Sequence, residues 1–262
     1  MADGTDRLAV EARPGTQAVE RALAILHCFR QEPQSLGITE IARAVGLNVS
    51  TAHRLVRALC HGGFMEQDAE SERYRLGLEI AILGKCALEQ SGYHLAQPIL
   101  ARLAATTGES ASLGVRRGDE VVVLERATSV HPLRFDHPTG AEIHLHASAM
   151  GKVLLAFTLG SPKDIAVALD PVTRYTRHTI TSKSALAQEL AAIREQGYAI
   201  NREERYEGVC GIAAPVIAAS GAAHAAVGIQ GPSLRLTPPQ LHKLAPLVRE
   251  AADEIGALVF RG

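Results

Sequence analysis

Cysteine is scarce in this chain of 262 residues, and the four present, Cys28, Cys60, Cys86 and Cys210, lie far apart with no CxxC pair. That spacing argues against a zinc ribbon and leaves reduced thiols as the simple expectation. Missing too is any apolar run long enough to span a bilayer. Met1 is followed by a polar stretch without the apolar core of a secretion signal. A soluble cytoplasmic protein is expected. No nucleophile elbow, P-loop or HExxH motif is present, and no internal repeat. Nor does charge of one sign dominate: Lys plus Arg is 27 and Asp plus Glu is 28, for a net charge of −1. This balance neither supports nor excludes nucleic acid, because a binder can concentrate its basic residues on one face.

The apolar fraction, 47%, is ample for packed cores, and the length makes two domains the default. The most informative stretch is residues 46–63, G-L-N-V-S-T-A-H-R-L-V-R-A-L-C-H-G-G. Asn48 is a good N-cap, since its side chain can accept a hydrogen bond from a free first-turn amide. Gly62 and Gly63 offer a left-handed stop. Between them Val49, Ala52, Leu55, Val56 and Leu59 recur at helical spacing as one apolar face. Ser50, Thr51, His53, Arg54 and Arg57 supply polar groups, and no acid interrupts the outer face. Hydroxyls near a helix start can take phosphates, and an arginine fork can meet the two acceptors of guanine. The competing reading is an ordinary amphipathic surface helix.

Its surroundings favour DNA. Residues 17–31 repeat apolar side chains at helical spacing and end at Pro33. Thr39 is placed to cap a short helix over 40–45, and Gly46 turns the chain into the next, giving a helix-turn-helix. Residues 64–67 and 73–76 read as a hairpin around a polar turn, that is, a wing. Arg73 and Arg75 lie on one face of it and can reach phosphates; alternatively they are solvated charges beside Glu70 and Glu72. Residues 77–90 form a helix apolar on several sides, which normally means burial, here against a partner subunit. Beyond Gly92 follow a helix (95–107), strands (110–116, 120–127, 133–136, 142–146), a helix capped by Ser148, one after Pro162, another over 184–196, strands (198–201, 209–218, 223–231, the last two joined at Ser220 and Gly221) and a long closing helix (237–260). This is an α+β arrangement.

In Val19-Glu20-Arg21-Ala22-Leu23, Thr39-Glu40-Ile41-Ala42, Ser50-Thr51-Ala52-His53-Arg54-Leu55 and Tyr74-Arg75-Leu76-Gly77 the chain resembles the IclR family of bacterial transcriptional regulators. The likeness continues through residues 145–152, Gly197-Tyr198-Ala199, Ile212-Ala213-Ala214-Pro215, and Gly231-Pro232 before Leu236-Thr237, from about residue 15 to 260. The polar start of the chain reads as a flexible tail (1–14), and the resemblance implies a winged helix-turn-helix domain (15–77), a linker helix (78–92) and a GAF/PAS-like effector-binding domain (93–262). It also implies homodimers, often tetramers, on pseudo-palindromic operator DNA, a small organic acid or aromatic metabolite as effector, and no cofactor.

Ser148 at a helix start leaves the amides of Ala149, Met150 and Gly151 available to a carboxylate, unless it is merely a cap; the resemblance places the effector there, with Gly151 easing its approach. Asn201, Gly211, Gly228 and Gln230 align with further effector contacts, each departing from the family's usual Asp, Cys, Ser and Ser. The two glycines are expected to enlarge the cavity and favour a larger acid with an apolar or aromatic body; bulky neighbours refilling the space would instead leave a small-acid site. His131, His137, His144 and His146 match no tight metal spacing. An enzyme using Ser148, Lys152 and the histidines is the competing class, but it leaves the winged helix unexplained. A sensor acting on another protein is the third.

Overall fold

A computed structural model describes residues 16–30, 35–158, 160–169, 172–218 and 221–260. The expected tail, the Pro33 stop and Ser220 of the expected turn lie outside the described residues. The chain divides into two compact units at Gln90/Ser91.

In the first unit, α1 (Gln17–His27), α2 (Ile38–Ala44) and α3 (Val49–His61) pack around Ile25, Ile41, Val56, Met65 and Tyr74, all buried. Burying each Ile or Val side chain is worth about 1.5–3 kcal/mol. Asn48 caps α3 as expected, its Oδ1 accepting from Thr51 N–H at 2.8 Å. The capping of α2 differs from expectation. The helix starts before Thr39, with Gly37 at the N-cap and Glu40 Oε2 accepting the Gly37 N–H at 2.7 Å. Val49, expected inward, is 46% exposed, because the first turn of α3 projects beyond the core.

The wing is β1 (Met65–Gln67) antiparallel to β2 (Tyr74–Leu76), with Leu36 bridging Tyr74 on the other side. Gly63 has φ +74, a left-handed conformation that stops α3 cheaply only in glycine. α4 (Leu78–Ser91) buries none of its residues; Leu78, Ile82 and Leu83 are exposed.

The second unit opens with a 3-10 turn, Tyr93–Ala96, rather than directly with a helix. Pro98 lacks an N–H and therefore starts a new helix, α5 (Gln97–Thr107). There follow β3 (Ser110–Arg117), β4 (Glu120–Ala127), β5 (Glu142–His144), α6 (Ala149–Ala156), α7 (Pro162–Ala168), α8 (Lys183–Gln196), β6 (Ala199–Arg202), β7 (Val209–Ile217), β8 (Ala223–Pro232) and α9 (Pro238–Val259). The strands form one antiparallel sheet in the order β5-β4-β3-β8-β7-β6. α5 and α9 bury one face against Leu113, Ile212 and Val227. α6 and α8 bury the other against Val121, Ala213 and Ala226. The two faces alternate along each strand, as the pleat requires.

The strand expected at 133–136 is absent. Pro132 and Pro138 flank the segment, and Phe135 packs instead on His137 and Tyr206, with ring centroids 5.1 and 5.2 Å apart.

Candidate nucleic-acid interface and effector pocket

α3 presents Ser50, His53, Arg54 and Arg57 to solvent, while Ala52 and Val56 are buried beneath. Two of the expected polar groups are partly committed. The Thr51 amide serves the cap, and Ser50 Oγ donates to Asn48 Oδ1 at 2.9 Å, which leaves the hydroxyl oxygen as an acceptor only.

The wing arginines pair, but not with Glu70 or Glu72. Arg73 donates to Ser35 Oγ (3.1 Å), Ser35 O (2.9 Å) and Glu40 Oε2 (2.8 Å), fastening the wing to the start of α2. The Gly37 N–H, then the nearby Arg73, hold the Glu40 carboxyl below its ordinary range. Arg73 is thus a brace within the domain, where the sequence offered it as a free phosphate contact. Arg75 donates to Glu66 Oε2 at 3.0 and 3.2 Å, its partner directly across β1–β2. That pair is exposed and of little energetic weight, so Arg75 can exchange Glu66 for a phosphate.

In the second unit a cavity of about 30 Å³ opens between the start of α6, the inner ends of β7 and β8, and the 201–209 turn. Ala149, Met150, Asn201, Gly211, Gly228 and Gln230 all line it. Gly151 does not. Ser148 Oγ accepts the Gly151 N–H at 3.0 Å and donates to His144 O at 2.9 Å, so the free amides are those of Ala149 and Met150. A Cβ at Gly151 would stand 2.2 Å from Leu145 O. The glycine permits close helix packing and, contrary to expectation, does not clear a path for a ligand.

The expected enlargement at Gly211 and Gly228 is also absent. A Cβ at Gly228 would meet Ile212 O at 2.9 Å and Met150 Cγ at 3.3 Å; one at Gly211 would meet Ile229 O at 2.8 Å. Met150 and the neighbouring strand already occupy that space.

Sequence reasoning did not assign Phe135, His137, Arg205 and Tyr206 to this site, and they line it together with Ser112, Ile143, Val209, Ile212 and Ile229. Arg205 lies over the Tyr175 ring at 3.8 Å, and His144 stacks on Tyr175 at 4.9 Å. Burial, reinforced by Arg205, lowers the His137 pKa from 6.5 to about 4, so its imidazole is neutral near pH 7. Burial likewise lowers His146, whose Nε2 lies 2.8 Å from Thr173 O. Among the described residues no group of three His, Cys, Asp or Glu side chains is arranged to hold a metal. No local pattern announces Arg205; it sits in the mixed-charge run 202–207.

Beneath the pocket Lys152 is fully buried. Its Nζ donates to Glu204 Oε1 (2.7 Å), Ile200 O (2.7 Å) and Glu189 Oε1 (2.8 Å). Asn201 Oδ1 accepts the Glu204 N–H at 2.8 Å. These bonds fix the turn that carries Arg205 and Tyr206.

Comparison with known proteins agrees across both units. The chain matches the IclR helix-turn-helix domain over residues 18–69 and the bacterial transcriptional regulator IclR C-terminal over residues 89–257. It is 36% identical to the HTH-type transcriptional regulator BhcR of Paracoccus denitrificans, over 95% of this chain and 89% of that protein. It is 30% identical to the HTH-type transcriptional repressor AllR of Escherichia coli K12, over 93% and 90% of the two chains. A putative transcriptional regulator from Rhodococcus sp. RHA1 superposes with a TM-score of 0.81 at 30% identity, covering 93% of this chain and 98% of its own.

Proposed function

Since the chain belongs to the IclR family of bacterial transcriptional regulators, and is therefore a regulator rather than an enzyme, we propose that it reads pseudo-palindromic operator DNA as a homodimer that can pair into a tetramer, and answers to a compact organic acid in its C-terminal pocket. The outer face of α3 carries this reading: Arg54 and Arg57 are exposed, opposite buried Ala52 and Val56, with no acid between them. In the major groove these arginines read base edges, His53 and Ser50 lie beside them, and the first turn at Thr51 approaches phosphate. Arg75 takes a neighbouring phosphate, and Arg73 holds the wing in place to do so. The exposed apolar side chains of α4 supply the dimer contact. In the pocket, the Ala149 and Met150 amides receive a carboxylate at the positive end of α6. A Cβ at Gly211 or Gly228 would already meet the neighbouring strand, at 2.8 and 2.9 Å, so these glycines add no room, which supports a compact acid over a long one.

The test is operator binding by fluorescence anisotropy over a salt series. Arg57→Ala is expected to cost roughly 1–3 kcal/mol and flatten base preference at one position per half-site; Arg75→Ala weakens all sequences evenly and lowers the salt slope by about one for each phosphate no longer neutralised. Unchanged operator affinity in a folded Arg54→Ala, Arg57→Ala protein refutes the assignment.

A further inference from the structure

We propose that the effector carries two anionic groups, and that Arg205 is the residue that selects for the second. This rests on the pocket being the effector site. The chemistry of the lining is one-sided. Arg205 brings a full positive charge to it, and among the described residues none of the lining side chains is a carboxylate. Of the carboxylates nearest in sequence, Glu204 is bonded through Oε1 to Lys152 with its Oε2 unpartnered, Glu203 Oε2 accepts the Gly208 N–H at 2.8 Å, and Glu207 is exposed; none of the three lines the cavity. The Arg205 guanidinium lies instead against ring faces, Tyr175 at 3.8 Å and Tyr206 at 5.2 Å. Ring faces hold a cation but use none of its five N–H donors.

A second, independent sign is Gln230. Its Nε2 is buried and has no hydrogen-bond partner, an arrangement that costs free energy until an acceptor arrives. Asn201 adds to the bias: its Oδ1 is engaged by the Glu204 N–H, so its other amide atom is a donor where an aspartate would present a second acceptor. The pocket thus offers donors from the α6 amides, from Gln230 and from Arg205. A single carboxylate at the start of α6 leaves the Arg205 fork without an anion. A short diacid gives both sets of donors an acceptor, and bidentate pairing of the fork with a carboxylate is the geometry that guanidinium favours.

The test is calorimetric titration of the full-length protein with two pairs of acids matched in length, malonate against propionate and succinate against butyrate. At least one diacid is expected to bind about tenfold tighter than its matched monoacid, the scale of one charge-assisted contact. Arg205→Gln is expected to abolish that preference, bringing each diacid to the affinity of its matched monoacid, and an unchanged far-UV circular dichroism spectrum shows that the variant is folded. Because Arg205 packs on Tyr175, Arg205→Lys is the second variant; it keeps the charge without the fork and is expected to keep a weakened preference. Monoacids binding as well as diacids, or a preference that survives in Arg205→Gln, overturns the role of Arg205 while leaving the effector site standing. Binding of none of the four acids overturns both.

Discussion

Replacing Lys152 by Met removes the charge at the centre of the second unit and keeps most of the side chain's volume. In the wild type Nζ has three partners within 2.8 Å, and one of them, Glu204, is only 3% exposed. Glu189 can turn toward water, its side chain being 25% exposed, but Glu204 cannot. Glu204 Oε2 already lacks a partner, and Oε1 would keep only the Arg202 N–H at 3.3 Å. Breaking a buried pair by removing one member costs roughly 3–5 kcal/mol, because the other charge stays uncompensated. For a unit of this size the melting temperature should fall by about 10 °C. Urea denaturation followed by tyrosine fluorescence measures this well, since four of the five tyrosines, Tyr93, Tyr175, Tyr198 and Tyr206, lie in the second unit and tryptophan is absent. Adding Glu204→Gln to Lys152→Met removes the stranded charge and should restore at least half of the stability. A single-variant cost below about 1 kcal/mol, within the range of an ordinary surface change, or a double variant no more stable than the single, refutes the argument.

Two further outcomes follow from other parts of the chain. Leu83→Asp on α4 should weaken a homodimer by at least tenfold in dissociation constant, because a symmetric interface meets the change twice and burial of each leucine is worth about 1.5–3 kcal/mol. Sedimentation equilibrium showing an unchanged constant, or a monomeric wild type, refutes it. The His137 pKa is lowered from 6.5 to about 4 in the fold, so the unfolded chain binds the extra proton between those values. Stability from this group is therefore full above pH 6.5 and is lost as pH falls toward 4, by at most about 3 kcal/mol and less for a ring that partly reaches solvent. His137→Phe should flatten the fall in urea midpoint between pH 7 and 4.5; an equal fall in both proteins refutes it.

Much of this architecture is local, and the sequence determined it. The apolar period of residues 49–59, the Asn48 and Ser148 caps and the stop after His61 act over one or two helical turns, so their chemistry is complete within a few residues. The outer face of α3, with Arg54 and Arg57, follows from the same period. Tertiary structure decided what each polar group was free to do. Arg73 looked like a phosphate contact until folding set it beside Glu40, 33 residues away. Gly151 looked like an opening until Leu145 O occupied the place of its missing side chain, and the room promised by Gly228 was filled by Met150. Arg205 carried no signal at all, because its meaning depends on Tyr175, Gln230 and α6 converging from separate elements. Periodicity fixes which way a side chain points; the partner it meets is set by residues far along the chain, and only the packed sheet and helices bring them together.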